Sequence, residues 1–560
     1  MQPLSSLGAS GRELTSCLRR PRPAVLAVLA LALAIPLAFT FYTGLIWEDF
    51  FITYRYSENL ALGLGLVYNP GERVQGFTSV FNTLIPAFFA WISGAKGFLF
   101  PLWSYRVVSL AGLGFGLVSV LSVFLRRAEG SRIAGFCALA FPLAAALEIK
   151  ITAFTMSGQE AGFMTAFLGA GFALAYLGWE RHALLGGVLW AGLMYSRPDG
   201  FASIGAVGLT ALAFAEGPRR ALFRPLLRSA AVCAALYLPW FLFTWAYFGT
   251  PVPHTVTAKY GVVQVTSKTF DLLGPVASAL EHAPRTLCYV FAPIYDTLGT
   301  GDGLWPKWIH DAGFALAALA LLYWAAPSRD RFGRMASFLA FLLFLYLSYV
   351  GEVAQFAPWY YPPLTFACLL ALAGAGAGLL ERLRSHALAA AAGAAGAAAL
   401  FGLVGYIFWA SLYPLKIKQS VVEWGHRRMI GLYIKQHMAP GDTVYLEPLG
   451  YIGYFSQAHM LDWPGLVSPQ VVAARRRLGL EVGWSWAPVA EALRPTWIVA
   501  RIPDAQAMQA SDILSKNYVL MRMFDIREKV VAAGLVPGMN ITFGESVFAV
   551  FHRADTAPAP

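Results

Sequence analysis

Long apolar runs separated by short polar loops dominate the chain from residue 24 to residue 413. A helix needs about 20 mostly apolar residues to cross the hydrocarbon core of a bilayer, and these runs carry few charges. The pattern predicts a polytopic α-helical membrane protein with about eleven transmembrane helices plus juxtamembrane helices. The predicted crossings are residues 24–46, 103–125, 133–150, 160–178, 183–196, 200–215, 227–248, 311–326, 334–351, 359–380 and 387–413.

One apolar run does not fit the alternation of the loops. Residues 77–93, FTSVFNTLIPAFFAWIS, would add a crossing and move every later loop to the other side of the membrane. Five later loops are short and basic, which is typical of the cytoplasmic side. They are RRAEGSR, WERH, EGPRRALFRPLLR, PSRDRFGR and ERLRSH. We therefore expect residues 77–93 to form a juxtamembrane or re-entrant helix.

The first apolar run follows a basic flank like that of a signal sequence, but it is long enough to span the membrane. We interpret it as an uncleaved first helix, with residues 1–21 as a cytoplasmic tail. An odd number of crossings places the C-terminus on the outer side.

The pattern changes after about residue 415. A helical stretch, VVEWGHRRMIGLYIKQHM, precedes five segments typical of strands: TVYLE, HMLDW, PTWIVARI, YVLMRMF and SVFAVFHR. Residues 415–560 are predicted to form an extracytoplasmic α/β domain after a transmembrane domain at 22–414. Glu447 and Asp462 close two of the strands, where they either hold a glycan or cap the strand ends. The tract AAGAAGAAAL, residues 391–400, is interpreted as close helix packing.

Composition supports the membrane assignment and excludes other classes. The 560 residues are 58% hydrophobic and 13% charged, with a mean hydropathy of +0.57. The formal net charge of +11 does not indicate nucleic acid binding, because the basic residues cluster in short loops between apolar runs. The five cysteines are far apart and form no CxxC pair, so neither a zinc site nor a disulfide framework is predicted.

Charge is concentrated directly after the first crossing, in WEDFFITYRYSENLALGLGLVYNPGERVQGFTS. Glu48 and Asp49 emerge there on the outer side, where a carboxylate can take a proton from a hydroxyl during group transfer. The alternative is an amphipathic interfacial helix with one face toward lipid and one toward water. Its lipid face would hold Phe50, Phe51, Tyr54 and Leu60, and its water face Arg55, Glu58 and Asn59.

Two other outward segments carry cations. In SRPDG, Arg197 either binds a lipid phosphate or pairs with Asp199 as a helix connector. In FGTPVPHTVTAKY, His254 and Lys259 either contact a phosphate or extend into the headgroup region.

Two further segments carry carboxylates and aromatic rings. Glu160 begins a helix in TMSGQEAG, where the helix dipole alone favours a carboxylate. In GEVAQFAPWYYPPL, Trp359 and Tyr360 form either an interfacial aromatic belt or a sugar-stacking platform beside Glu352.

Taken together, these segments resemble the GT-C membrane glycosyltransferases. The run EDFFITYRYSENLALGLGLVYNPGERVQGFTS is similar to the first periplasmic loop of the branch that transfers terminal arabinofuranose to mycobacterial arabinan. SGQEAG resembles a (S)GxET element, YSRPDG a TRPDG element and FGTPVPHTVTAKY a YGxPxPNTxxAK element. The chain departs from that pattern at Glu48, usually Asp, at His254, usually Asn, and at Gln159 and Ala161, where Leu or Met and Thr are usual.

The resemblance implies a glycosyltransferase of the bacterial cytoplasmic (inner) membrane, with a cytoplasmic N-terminus and a periplasmic C-terminal domain. It would move a sugar from a polyprenyl-phosphate donor to a glycan or lipid acceptor of the cell envelope. Asp49, with Glu48 as the alternative, would be the catalytic carboxylate. The donor phosphate is expected near Arg197, Lys259, His254 and Arg55. The substrate cavity is expected to include Glu160, Asp199, Glu352, Trp359 and Tyr360.

Several alternatives stay open. A pentofuranose is one candidate sugar, the acceptor is not fixed, and we hypothesise inverting displacement, with retention as the alternative. The outward acids show no metal-ligand spacing, so no metal or other cofactor is favoured, with a divalent cation as the alternative. A polyprenyl-linked sugar flippase is the competing function, disfavoured because we find no internal repeat. A scaffold with a carbohydrate-binding outer domain is a third.

Overall fold

The computed structural model describes residues 23–260, 274–296, 305–351, 357–383, 385–480, 486–534, 536–539, 542 and 544–555. The chain divides into two compact units, each built from separate segments. Unit 1 consists of Met1–Tyr42, Arg106–Pro239 and Asp271–Tyr413. Unit 2 consists of Thr43–Tyr105, Trp240–Phe270 and Pro414–Pro560. The division by compactness therefore differs from the division at residue 414 that we drew from the sequence, because the first outward loop groups with the C-terminal residues.

Helices form most of the described chain up to residue 437. In chain order the α-helices are α1 Pro23–Thr43, α2 Glu48–Ala61, α3 Val80–Ile92, α4 Leu99–Arg127, α5 Arg132–Leu147, α6 Ile149–Met156, α7 Ala161–Leu177, α8 Ala183–Ser196, α9 Gly200–Ala213, α10 Arg219–Phe248, α11 His254–Tyr260, α12 Gly274–Tyr289, α13 Lys307–Leu322, α14 Arg331–Tyr349, α15 Pro362–Leu380, α16 His386–Ile417 and α17 Arg428–His437. A π-helix, Lys418–Arg427, joins α16 to α17, and short 3-10 helices lie at Trp179–Arg181, Tyr323–Ala325 and Pro358–Tyr360.

The prediction of a polytopic α-helical membrane protein is confirmed. Within the described residues, seven helical segments are long and apolar enough to cross a membrane, and the bent pair α5 and α6 would make an eighth. Helices α7, α8 and α9 are apolar but shorter. Each predicted crossing falls on one or more of these helices. The 13-residue helix α3 in the exceptional run rises only about 20 Å, less than the hydrocarbon thickness of about 30 Å.

Glycines let α4 and α7 approach closely in unit 1. A Cβ on Gly112 would meet the carbonyl of Gly162, and a Cβ on Gly116 would meet that of Thr165. Small residues at such positions allow helices to pack in a membrane. The tract AAGAAGAAAL is helical within α16. A Cβ on Gly393 would meet the Leu380 side chain at 3.0 Å, while most other residues of the tract are exposed, so close packing there stays a prediction.

All five predicted strands of the α/β domain are present. They are β1 Thr443–Leu446, β2 His459–Asp462, β3 Trp497–Arg501, β4 Tyr518–Asp525 and β5 Val547–Arg553. They form one sheet in the order β2-β1-β3-β5-β4, with β1 parallel to β2 and β3, and β5 antiparallel to β3 and β4. The intervening helices are α18 Leu449–Ser456, α19 Pro469–Leu478, α20 Trp486–Leu493, α21 Ile502–Ala510, α22 Asp512–Asn517 and α23 Arg527–Ala532.

Helix α2 packs into unit 2 and does not expose its aromatic face. Phe51 contacts the rings of Tyr451 and Tyr454 in α18, at centroid distances of 4.5 and 4.9 Å. The alternative of an interfacial helix with Phe50, Phe51 and Tyr54 toward lipid is therefore wrong, because all three side chains are buried by protein.

Asn69 and Asp462 fix the loops of this unit. The Asn69 side chain accepts from the Met460 N–H and donates to its carbonyl, both at 3.0 Å. Asp462 is fully buried, and its carboxylate accepts from the backbone N–H groups of residues 465–467 and from the Ser468 hydroxyl. Of the two interpretations of Asp462, capping of the strand end is the one its contacts support.

Candidate active site

Unit 1 gathers sequence-distant polar residues into a cleft that we call the arginine cleft, lined by Glu160, Arg197, Asp199, Tyr346, Trp359 and Tyr360 among others. The glutamate is the N-cap of α7, the arginine ends α8, and the aspartate is the N-cap of α9. The cleft has a volume of about 30 Å³, enough for one or two water molecules.

Arg197 is held from three sides. Its Nη1 donates to Glu160, its Nε donates to Asp199 Oδ1 at 2.8 Å, and its guanidinium lies 3.9 Å from the centre of the Tyr360 ring. The Tyr346 hydroxyl donates to the other oxygen of Asp199 at 3.0 Å. One cation thus serves two carboxylates, and a phosphate could bind it strongly only by displacing one of them.

The structure brings together several residues that the sequence assigned to the substrate cavity, and their function there stays a prediction. Glu160, Asp199, Trp359 and Tyr360 come together around Arg197, although they span some 200 residues of chain. The pairing of Arg197 with Asp199, which the sequence left as an alternative, is present. Glu352 lies outside the described residues.

Unit 2 contains a second cluster, the acidic-loop network, made of Glu48, Lys418, Glu423, Arg427, Glu447, Arg501 and Glu545. Arg427 lies at its centre. Its Nη1 donates to Glu48 at 2.6 Å and to Glu423 at 3.1 Å, and its Nη2 donates to Glu545. Arg501 binds Glu545 at 2.8 Å and also pairs with Glu447.

The π-helix aligns two charged residues of this network. Its hydrogen bonds run from each residue to the fifth along the chain, so the turn is wider than that of an α-helix. Lys418 and Glu423, five residues apart, consequently meet at 3.0 Å, and Glu423 also reaches Arg427 at 3.1 Å.

Glu48 is firmly bound in this network. Besides Arg427, its carboxylate accepts from the Gly450 N–H at 2.6 Å, and its side chain is 18% exposed. Burial raises the pKa of Glu48 to about 7, against the opposing effect of Arg427 and with help from Glu423. Conversely, although burial acts against it, Arg427 and Arg501 lower the pKa of Glu545 to about 2.

Asp49, one residue further along α2, is half-buried. Glu48, by contrast, has a structural function that limits its freedom to act on a substrate, because its carboxylate is bound to Arg427 and to the Gly450 N–H.

Arg55 serves the fold. The side chain is 1% exposed, Nη1 donates to the Gly453 carbonyl at 2.9 Å, Nη2 donates to the Ala458 carbonyl at 2.8 Å, and the guanidinium lies over the Tyr68 ring. Direct contact between Arg55 and a donor phosphate is not supported, because both Nη atoms are already bonded to these carbonyls.

His254 and Lys259 lie in α11, which follows α10 after five residues. The backbone N–H of His254 donates to the Gln75 carbonyl at 2.8 Å, which joins α11 to the first outward loop. Burial, together with Arg476 and Arg475, lowers the pKa of His254. The side chain of Lys259 lies outside the described part of the structure.

The sequence reasoning missed Arg427, Glu545 and Tyr346. The spacing of Glu423 and Arg427 by four residues was a local signal for an ion pair. This signal did not reveal that Arg427 also binds Glu48, which is 379 residues away. Among the described residues there is no group of three or more His, Cys, Asp or Glu side chains that could hold a metal ion.

Known proteins resemble this chain both in sequence and in structure. The terminal β-(1→2)-arabinofuranosyltransferase of Mycobacterium tuberculosis (strain ATCC 25618 / H37Rv) is 28% identical over 237 residues, which cover 38% of this chain and 34% of that protein. The match thus spans about a third of the relative's length. A family described as a domain of unknown function (DUF8728) matches residues 417–546.

Solved structures match nearly the whole chain. ArnT from Cupriavidus metallidurans in the apo state has a TM-score of 0.52 at 14% identity, covering 96% of this chain and 99% of that one. ArnT bound to undecaprenyl phosphate gives 0.51. The Archaeoglobus fulgidus oligosaccharyltransferase with a tethered acceptor peptide gives 0.53 at 14% identity, covering 90% of this chain and 73% of that one.

This chain has the GT-C fold. The resemblance that the sequence motifs carried is confirmed at this level, since the arabinofuranosyltransferase, ArnT and the oligosaccharyltransferase are all GT-C proteins. The chain is accordingly a multi-pass membrane protein with a C-terminal α/β domain. Within the GT-C fold, the α/β domain largely coincides with the matched domain of unknown function.

Proposed function

We propose that this protein transfers a sugar from a polyprenyl-phosphate donor to a cell-envelope glycan or lipid on the outer face of the cytoplasmic membrane. The observation that carries the proposal is the coincidence of two matches. Its structure follows that of ArnT, which has been solved with undecaprenyl phosphate, over 96% of the chain. Its sequence is similar to a terminal arabinofuranosyltransferase. In this proposal the N-terminus is cytoplasmic and the α/β domain periplasmic.

Asp49 is the proposed general base. The contacts of Glu48 support this choice, because its carboxylate is already bound to Arg427 and to the Gly450 N–H. A general base must be ionised and within reach of the acceptor hydroxyl.

The proposed reaction is a direct displacement. The acceptor oxygen attacks the anomeric carbon and forms the new glycosidic bond while its proton passes to Asp49. The bond between the anomeric carbon and the phosphate oxygen breaks, and its electron pair leaves with the polyprenyl phosphate. Cations stabilise the charge that develops on this leaving group. His254 and Lys259 are the proposed contacts, and Arg197 is assigned instead to holding Glu160 and Asp199 in place.

Transfer from a labelled donor tests the proposal. Purified protein is incubated with a radiolabelled polyprenyl-phosphoryl sugar and a cell-envelope acceptor fraction, and sugar release is followed. We expect Asp49→Asn to lower the rate by about 10² to 10⁴-fold, the usual contribution of general base catalysis. Glu48→Gln is the matched control, since the amide keeps the size of the side chain and an oxygen that can accept from either Arg427 or the Gly450 N–H. Equal activity of Asp49→Asn and wild type would refute the role of Asp49.

A flippase would behave differently in the same experiment. In sealed vesicles a flippase would move the labelled lipid across the bilayer and leave the sugar attached to phosphate. A transferase would release polyprenyl phosphate and form a labelled glycan. Movement without cleavage by the wild-type protein would overturn the proposed function.

A further inference from the structure

Arg475 in α19 is a buried cation that the described fold does not satisfy. Its side chain is 3% exposed, and its Nη2 donates to the Ala258 carbonyl in α11 at 3.1 Å. Its Nε and Nη1 have no hydrogen-bond partner among the described residues. No carboxylate in the described chain forms a salt bridge with it. A buried guanidinium without a counter-charge is unfavourable, which is the usual reason that such groups are paired.

The neighbouring helix offers further unsatisfied polar atoms. Within the described residues, His254 Nε2 and Thr255 Oγ1 are buried and lack partners. Both precede Ala258 by three or four positions in α11, so they lie on the side of the helix that faces Arg475. His254 is also within electrostatic range of Arg475 and of the exposed Arg476.

Neither of the two acidic groups near Arg475 neutralises this cluster. Asp462 is close enough to influence Arg475, but its carboxylate is already used by three backbone N–H groups and the Ser468 hydroxyl. Tyr445, the other acidic group in range, donates its hydroxyl hydrogen to the Trp486 carbonyl at 3.1 Å. The atoms without partners belong to the Arg475 guanidinium, the His254 imidazole and the Thr255 hydroxyl. All three groups can donate a hydrogen bond, so together they suit an anion.

We infer that Arg475, His254 and Thr255 form an anion site that takes the phosphate group of the polyprenyl carrier. A phosphate has enough oxygens to accept from all three side chains. The position favours a lipid phosphate, because α11 begins directly after the apolar helix α10, whose Leu242 and Trp245 are exposed. The inference rests on the proposed function and extends it, since it gives the α/β domain a part in holding the carrier.

Binding of the carrier without its sugar tests this site independently of transfer. The full-length protein in detergent is titrated with undecaprenyl phosphate, with inorganic phosphate and with undecaprenol, which lacks the phosphate, and the dissociation constants are compared. We expect undecaprenyl phosphate to bind and undecaprenol not to. Arg475→Met should weaken binding by about 10- to 100-fold, as is usual for a hydrogen bond to a charged group, and Arg475→Lys by less. Arg477→Met, an exposed position on the same helix, is the matched control and should bind like wild type.

A second variant separates ligand binding from folding. Thr255→Val keeps the shape of the side chain and removes a hydroxyl that bonds nothing in the described protein, so the unfolding temperature should stay unchanged while phosphate binding weakens. Wild-type affinity of both Arg475→Met and Thr255→Val would overturn the inference. Binding of inorganic phosphate alone, dependent on Arg475, would keep an anion site but refute the carrier as its ligand. Failure of the wild type to transfer sugar while it still binds the carrier would defeat the proposed function and leave this site standing.

Discussion

The raised pKa of Glu48 predicts that this one carboxyl makes the protein less stable as the pH rises. Folding raises the pKa from 4.5 to about 7, so between these values the folded state holds a proton that the unfolded state has lost. The stabilising effect is complete below pH 4.5 and is lost as the pH rises through about 7. Each pKa unit corresponds to 1.36 kcal/mol, which gives a total on the order of 3 kcal/mol.

Glu48→Gln should remove this dependence, because the amide stays neutral at every pH. Thermal unfolding of the purified protein in detergent is measured from pH 5 to pH 8 for wild type, Glu48→Gln and the control Glu528→Gln, which changes an exposed glutamate. The wild type and the control should lose several degrees more than Glu48→Gln over this range. An equal loss in all three proteins would show that Glu48 is not the titrating group and would refute its raised pKa in this network.

Three further variants test other parts of the structure. Arg427→Met should destabilise unit 2 by about 3–5 kcal/mol in thermal unfolding, because it removes the shared cation of three carboxylates, of which Glu423 is fully buried. The exposed Arg527→Met should change little, and equal effects would argue against the network. Gly116→Leu should cost about 1–3 kcal/mol or prevent folding, because its side chain meets backbone of α7, whereas Gly205→Leu has open space and should fold normally. Tyr346→Phe should lower stability by about 1 kcal/mol through loss of one hydrogen bond, and an unchanged melting temperature would contradict that contact.

The elements of the fold were predictable because their signals are local. Apolar runs predicted the helices, and short alternating segments predicted all five strands. The arginine cleft was also largely predictable, since the candidate residues stand at helix ends on one predicted side of the membrane. Whether AAGAAGAAAL packs against another helix could not be predicted, because a tract of small residues has the same composition whether it faces a helix or lipid.

The charged partners were not predictable, since they depend on contacts between distant segments. Arg55 looks like a phosphate ligand in the sequence, yet its partners are carbonyls about 400 residues further along the chain. Glu48 and Asp49 are indistinguishable as neighbours in a sequence. Only the position of Arg427 shows that one of them is bound in the fold.

The composition of unit 2 has a consequence for how the protein is made. The first outward loop is synthesised early, but the residues that enclose it are synthesised last, with β5 lying between β3 and β4 in the sheet. Helix α2 can therefore reach its final environment only when the ribosome has finished the chain. A truncated product that ends before the sheet would carry the long apolar helices and still leave the aromatic face of α2 uncovered.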